Sequence, residues 1–207
     1  MRTVMCQNFH ESVGKMKYNH RLVLIAGASG SGKTTLMKYF KRHGENVLDG
    51  STDGIGIWVD ANGNPRGKPT KSEWAKREGF DWRWDLNALK RELQRYKNKE
   101  LYAFSDAANL HEVMALFEDL YWLNASDELI LSRLYKRAKG KSQKVHGKTY
   151  GATEEQREYV LRKLRSNNVW ASKSGFKLID SALTPKELFD IITKKHINHD
   201  NGVSSRE

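Results

Sequence analysis

Apolar positions along this chain alternate between two rhythms. Leu22-Val-Leu-Ile25 is a continuous apolar run, as a strand buried on both faces requires, and predicts a strand over 21–27. Leu36, Met37 and Phe40 then recur at helical spacing and predict a helix over 33–43, with Gly44 at its end. A short second strand covers Asn46 to Leu48 and ends at Asp49. Residues 49–70 hold Gly50, Gly54, Gly56, Gly63, Gly67, Pro65 and Pro69 and read mostly as loop, with Asn62-Gly63-Asn64 as a turn at the tip of a small hairpin. Residues 72–79 predict a short helix. Phe80-Asp-Trp-Arg-Trp-Asp85 places two tryptophans at i, i+2, which cannot share a helix face, so this segment is not helical.

The rhythm becomes helical again after Asp85, which caps a helix lined on one face by Leu86, Leu89, Leu93 and Tyr96. A third strand runs from Leu101 to Phe104, a short helix from Leu110 to Phe117, and a fourth strand from Asp119 to Leu123. Ser126 caps the helix that carries Arg133 and Arg137. Residues 138–152 are polar, basic and rich in Gly and Ser, the composition of a mobile loop. Thr153-Glu-Glu-Gln156 and Thr184-Pro-Lys-Glu187 are capping boxes that open two further helices, with a fifth strand from Gly175 to Asp180 between them. Strands that alternate with helices predict an α/β fold: a five-stranded parallel sheet with helices on both faces. Ligands then sit beyond the carboxyl ends of the strands. The expected organisation is an irregular arm over 1–20, one domain over 21–195 and a flexible tail over 196–207.

Composition narrows the class. The chain has 207 residues and a single cysteine, Cys6, which suits a reducing cytosol and excludes an intramolecular disulfide or a cysteine-based metal cluster. No apolar run approaches the ~18 residues of a membrane span, so a cytoplasmic protein without a membrane partner is expected. The net charge of +11 admits a nucleic-acid partner. No aromatic-basic RNA motif accompanies that charge, and a site for phosphorylated ligands explains it as well, so a small-molecule partner is favoured. Oligomeric state is not legible.

The chemistry lies where the first strand meets the first helix. Gly27-Ala28-Ser29-Gly30-Ser31-Gly32-Lys33-Thr34-Thr35 is a P-loop. Its glycines let the backbone turn tightly and bring N–H groups close to a polyphosphate, and the helix N-terminus adds a positive field. Lys33 can reach the β/γ-phosphates and the Thr34 hydroxyl can ligate Mg²⁺. All nine residues, 27–35, are candidate nucleotide contacts, for ATP with Mg²⁺. No N-K-x-D is present, which weakens a GTPase reading.

Three further stretches resemble the small P-loop kinases, such as shikimate, gluconate, nucleoside and nucleoside-monophosphate kinases, over about 21–192. Asp49-Gly-Ser-Thr-Asp53-Gly-Ile-Gly56 is similar to the acidic segment that in those enzymes touches acceptor and metal. Leu129-Ile-Leu-Ser-Arg133-Leu-Tyr-Lys-Arg137 resembles the helix that leads into their lid, and Leu178 to Pro185 their last strand and adenine loop. The resemblance implies transfer of the γ-phosphoryl group of ATP to a small acceptor bound by an insert over about 53–99, with a lid over about 138–152. Nucleoside or nucleotide kinase, and a nucleic-acid-directed kinase or ATPase, are the alternatives. The chain departs from the shikimate kinases after the third strand, where Ser105-Asp106-Ala-Ala-Asn109 replaces a glycine triplet.

Individual roles follow. Asp53 is the first choice for the carboxylate that orients the attacking hydroxyl or holds the metal, with Asp49 as rival. Asp106 stands where a second Mg²⁺-holding acid is expected, against a plain role as a helix cap. Arg133 and Arg137 share a helix face and suit phosphate charge, against a solvated face paired with Asp127 or Glu128. Trp82 or Trp84 either stacks on a planar acceptor or packs the acceptor region onto the core.

Overall fold

The computed structural model describes residues 20–51, 53–70, 73, 79–96, 99–139 and 153–193. The expected N-terminal arm, most of the 72–79 helix, the 140–152 portion of the lid and the C-terminal tail lie outside the described residues.

The central element is β1 (Leu22–Gly27), whose residues are all buried. Its two faces serve two cores. Leu22, Leu24 and Ala26 join one apolar cluster, and Val23 and Ile25 join the other. Such double burial is why the sequence shows an unbroken apolar run here instead of an alternation. β6 (Leu101–Ser105) and β7 (Asp119–Asn124) flank β1, with Ile25 opposite Phe104 on one side and Tyr121 on the other. β2 (Val47–Asp49) pairs with β6, and β8 (Lys177–Asp180) with β7. The five strands are parallel in the order β2-β6-β1-β7-β8.

Helices cover both faces, as expected. α1 (Lys33–Arg42) buries Leu36, Met37 and Phe40 in the second cluster, beside Leu188 and Ile192 of α6 (Pro185–Thr193). α2 (Leu86–Arg95) buries Leu89 and Leu93 in the first cluster, where Ala171 of α5 (Glu154–Lys173) also packs. α3 (Leu110–Val113) continues into a 3₁₀ turn over Met114–Leu116. α4 (Asp127–Lys139) packs Ile130 and Leu134 against Ala28 of the P-loop and Val160 and Leu164 of α5. The caps act as the sequence implies: Asp85 Oδ1 accepts the Ala88 N–H at 2.7 Å, and Thr153 Oγ1 accepts that of Gln156 at 3.3 Å. At α6 the box is reciprocal, Thr184 Oγ1 accepting from the Glu187 N–H and Glu187 Oε2 from the Thr184 N–H.

One element departs from expectation. Within the segment read mostly as loop, β3 (Gly56–Asp60) pairs with β4 (Pro65–Arg66) and β5 (Phe80–Trp84) in a three-stranded antiparallel sheet. The Asn62-Gly63-Asn64 turn is the hairpin tip, with Gly63 at φ +84° and Asp60 Oδ1 accepting the N–H groups of Asn62 and Asn64. Glycine and proline density around β3 masked it. Gly56 is there for another reason: a Cβ on it would lie 1.8 Å from Cζ2 of Trp82. Likewise a Cβ on Gly50 would lie 2.3 Å from Nε1 of Trp84. These two glycines let the indoles approach the backbone closely.

Candidate active site

The parallel strands deliver their carboxyl ends to one edge of the sheet. There the P-loop wraps from β1 into α1, with Gly30 at φ +88° and Gly32 at φ +102°, a conformation that disfavours any side chain. α1 has no acidic residue in its first turn, so its positive end stays available to an anion. Lys33 lies back over the loop: its Nζ donates to the carbonyls of Gly27 at 2.7 Å and Ala28 at 3.0 Å and stands 3.5 Å from Oδ2 of Asp106. Ser31 Oγ is buried and has no hydrogen-bond partner among the described residues.

A cavity of about 550 Å³ opens over this loop. P-loop residues 29–35 form its floor, Asp49, Ser51 and Asp106 one wall, and Arg133, Arg137 and Ser181 another. Leu183, Pro185 and Leu188 supply an apolar end, in the loop and helix that follow β8. Arg133 does more than line the cavity. Its guanidinium donates to the Gly30 carbonyl at 3.1 Å and to the hydroxyl and carbonyl of Ser181, both at 2.7 Å. Ser181 Oγ in turn donates to the Ser31 carbonyl at 2.6 Å. Arg133 thus staples the P-loop to the loop after β8, and burial lowers its pKa from the ordinary arginine value. Arg137, one turn further on, lines the cavity from an exposed position.

A second cavity, of about 850 Å³, lies on the other side of the same loop. Ser29, Ser51 and Asp106 line both cavities. The second is walled by Trp58, Phe80 and Trp82 from the small sheet, and by Trp122, Tyr159 and Trp170 from β7 and α5. The small sheet is pinned to the loop after β6 by Asn109, which is buried. Asn109 Oδ1 accepts the Trp84 N–H at 2.9 Å and its Nδ2 donates to the Trp84 carbonyl at 3.1 Å. The Ala108 N–H donates to the Trp82 carbonyl at 2.8 Å beside it.

The structure therefore brings Lys33, Thr34, Arg133 and Arg137 to one cavity with the P-loop backbone, while Gly27 and Ala28 line the other and Ser29 and Asp106 line both. Asp53 is placed differently from the expectation. It lines neither cavity; its Oδ2 accepts the Asp49 N–H at 2.7 Å, and its own N–H donates to the Asp49 carbonyl at 3.0 Å. This is turn chemistry, and it presents Asp49, which does line the nucleotide-side cavity. The two tryptophans also divide: Trp84 is 1% exposed and belongs to the core, whereas Trp82 faces the second cavity. Sequence reasoning missed Ser181, Trp58, Trp170 and the clamping role of Asn109. The spacing Tyr159, Lys163, Asn167, Trp170 along one face of α5 was the available signal for that wall.

The structure is similar to shikimate kinase from Acinetobacter baumannii, with 13% identity over 84% of this chain and 94% of that one and a TM-score of 0.50, a likeness of fold. Deoxyadenosine kinase from M. mycoides aligns with 16% identity over 83% of this chain and 96% of that one, at a TM-score of 0.46. A gluconokinase from Sinorhizobium meliloti 1021 aligns with 14% identity over 83% and 88%, also at 0.46. No curated protein matches the sequence. The model of the AAA domain family matches residues 23–149, from β1 through the P-loop, the small sheet and α4. That match spans more than half of the sequence, and the chain belongs to the AAA domain family.

Proposed function

We propose that the protein is an ATP-dependent phosphotransferase that passes the γ-phosphoryl group to a small acceptor. The observation that carries this reading is the meeting of two cavities at the P-loop, with Ser29, Ser51 and Asp106 common to both. A hydrolase needs room for one substrate and a water. A kinase needs two substrate sites that share the point of transfer.

The residues divide the work. Backbone N–H groups of 29–35 and the start of α1 hold the polyphosphate, and Leu183, Pro185 and Leu188 offer an apolar rest for the base. Lys33 neutralises charge on the transferring group as its bond to the leaving oxygen breaks. Asp106, at the junction, orients the acceptor hydroxyl and takes its proton as the new P–O bond forms. Arg137 adds positive charge from the lid-side helix, and Arg133 holds the loops in register.

Thr34, Asp49 and Asp106 are hard oxygen donors around one cavity. Among the described residues no group of three or more His, Cys, Asp or Glu can hold a metal unaided. That donor set fits Mg²⁺, which is commonly held by one or two carboxylates together with substrate phosphates. Thr34 and Asp49 would hold it, and when bound it neutralises phosphate charge. A lid over about 138–152 belongs to the same proposal.

An ATP-consumption screen over nucleosides, nucleotides, sugars and hydroxy acids, run beside Lys33→Ala, tests the proposal. Acceptor-dependent turnover that vanishes in a folded Lys33→Ala variant is expected. Equal turnover in the two proteins would overturn it.

A further inference from the structure

The second cavity names a class of acceptor, an inference that rests on the proposed phosphotransfer. Its aromatic residues form two opposed groups. On the small sheet Trp58 and Trp82 are direct cross-strand partners with ring centroids 4.7 Å apart, and Phe80 adjoins Trp58 at 5.6 Å. All three keep part of their surface exposed. The Trp82 ring is held from behind, since it lies so close over Gly56 that a Cβ there would meet it at 1.8 Å. A platform fixed in this way is organised before any ligand arrives. The facing wall belongs to α5, where Tyr159, Lys163, Asn167 and Trp170 fall on one face.

A heterocyclic base offers two flat π-faces to partly exposed indoles, where a sugar offers only the C–H face of its ring and an acyclic hydroxy acid none. The polar groups agree. Lys68 and Lys163 line the cavity against Asp81 and Asp106, and Asp106 already stands 3.5 Å from Lys33. Cations beside an aromatic platform suit a base that carries phosphate, and Asn167 offers an amide to the base edge. We infer that the acceptor is a nucleotide unit, its base stacked on Trp82 with the Trp58 ring tilted at 55° beside it, and held through its phosphate by Lys163 and Lys68. Such a unit exists free or at the end of a nucleic-acid strand, and the net charge of +11 suits either.

Tryptophan fluorescence of the full chain, saturated with a non-hydrolysable ATP analogue and Mg²⁺, reads this directly. The probes are nucleosides, their 5′- and 3′-monophosphates, a ten-nucleotide oligomer with a free 5′-hydroxyl, and shikimate and gluconate. Quenching by nucleotide probes and none by shikimate or gluconate is expected. Trp82→Ala and Trp58→Ala should weaken nucleotide binding at least about tenfold, and Trp82→Phe by less than about threefold. Lys163→Gln should weaken the monophosphates and leave the matching nucleosides unchanged, which reports on the site even if Trp82→Ala fails to fold. Monophosphates that bind as well as the oligomer identify a free nucleotide; an oligomer bound at least about a hundredfold tighter, with steep salt dependence, identifies a strand end. Analogue binding with phosphoryl transfer only to shikimate, gluconate or a sugar would overturn this inference and leave the kinase reading standing. So would nucleotide binding indifferent to Trp82, Trp58 and Lys163 in folded variants. A protein that fails to bind the ATP analogue at all would overturn both.

Discussion

The two cavities that meet at Asp106 are made of different material. The nucleotide side rests on one consecutive stretch of chain: residues 29–35 form its floor, and two of them hold positive φ. The other side is built from side chains contributed by β3, β5, β7 and α5, from Trp58 to Trp170. A backbone cradle recognises something invariant, a polyphosphate, through N–H groups that every residue carries. A cage of side chains recognises whatever its rings and charges fit, and it can be rebuilt without disturbing the cradle. Damage should therefore be abrupt on the first side and graded on the second.

The largest effect should come from Lys33→Ala. Turnover should fall on the order of 10²–10³-fold, as when one preorganised charge-stabilising group is lost, while the fluorescence response of Trp58 and Trp82 to acceptor persists. Turnover and tryptophan quenching measured on the same sample separate the two halves. Asp106→Asn comes next, with at least about a hundredfold loss in kcat and little change in ATP affinity, because a junction carboxylate acts on the acceptor proton. Asp49→Asn should instead raise the Mg²⁺ concentration needed for half-maximal rate. Asp53→Asn should cost only a few-fold, through the Asp49 turn that it holds. A ranking with Asp53 first would return the acceptor-side acid to the position that the sequence suggested.

Asn109→Ala tests the graded side. It would leave the Trp84 N–H and carbonyl without their buried partner, at a cost of about 1–3 kcal/mol in stability. The Michaelis constant for acceptor should rise while that for ATP holds, and steady-state kinetics with thermal melts decide it. The smallest effect on activity lies at the far end of the sheet. Burial works against the charge on Asp119, but hydrogen bonds from Lys177 at 2.6 Å and Arg21 at 2.7 Å outweigh it and hold its carboxyl below the ordinary carboxylate range. A depressed folded-state value contributes stability above the unfolded pKa of about 3.9, lost as pH falls through the folded one. Asp119→Asn should lower the melting temperature at neutral pH, flatten its decline below about pH 4, and leave turnover unchanged.

The contrast also explains what could be read from sequence. The nucleotide side is local, so Gly27 to Thr34, the strand before it and the helix after it announce themselves in one stretch. The helix caps at Thr153 and Thr184 are local too, and both form. The acceptor side depends on pairings far apart in the chain. Trp58 meets Trp82 only because β3 pairs with β5, and Asn109 reaches Trp84 only because the loop after β6 returns to that strand. Gly50 and Gly56 looked like loop residues, yet each makes room for an indole packed close on the backbone. Asp53 carried a motif-like position, and only the turn geometry shows its oxygen directed to the Asp49 N–H.

Following the labelled γ-phosphate of ATP tests the central claim most directly. Wild-type protein is incubated with γ-labelled ATP and Mg²⁺, with and without the panel of acceptors, and the products are separated. The expected result is label in an organic phosphate ester, formed in step with ADP and faster than inorganic phosphate appears. Label released only as inorganic phosphate, at the same rate whether or not any acceptor is present, would contradict the reading of two cavities joined at one point of transfer.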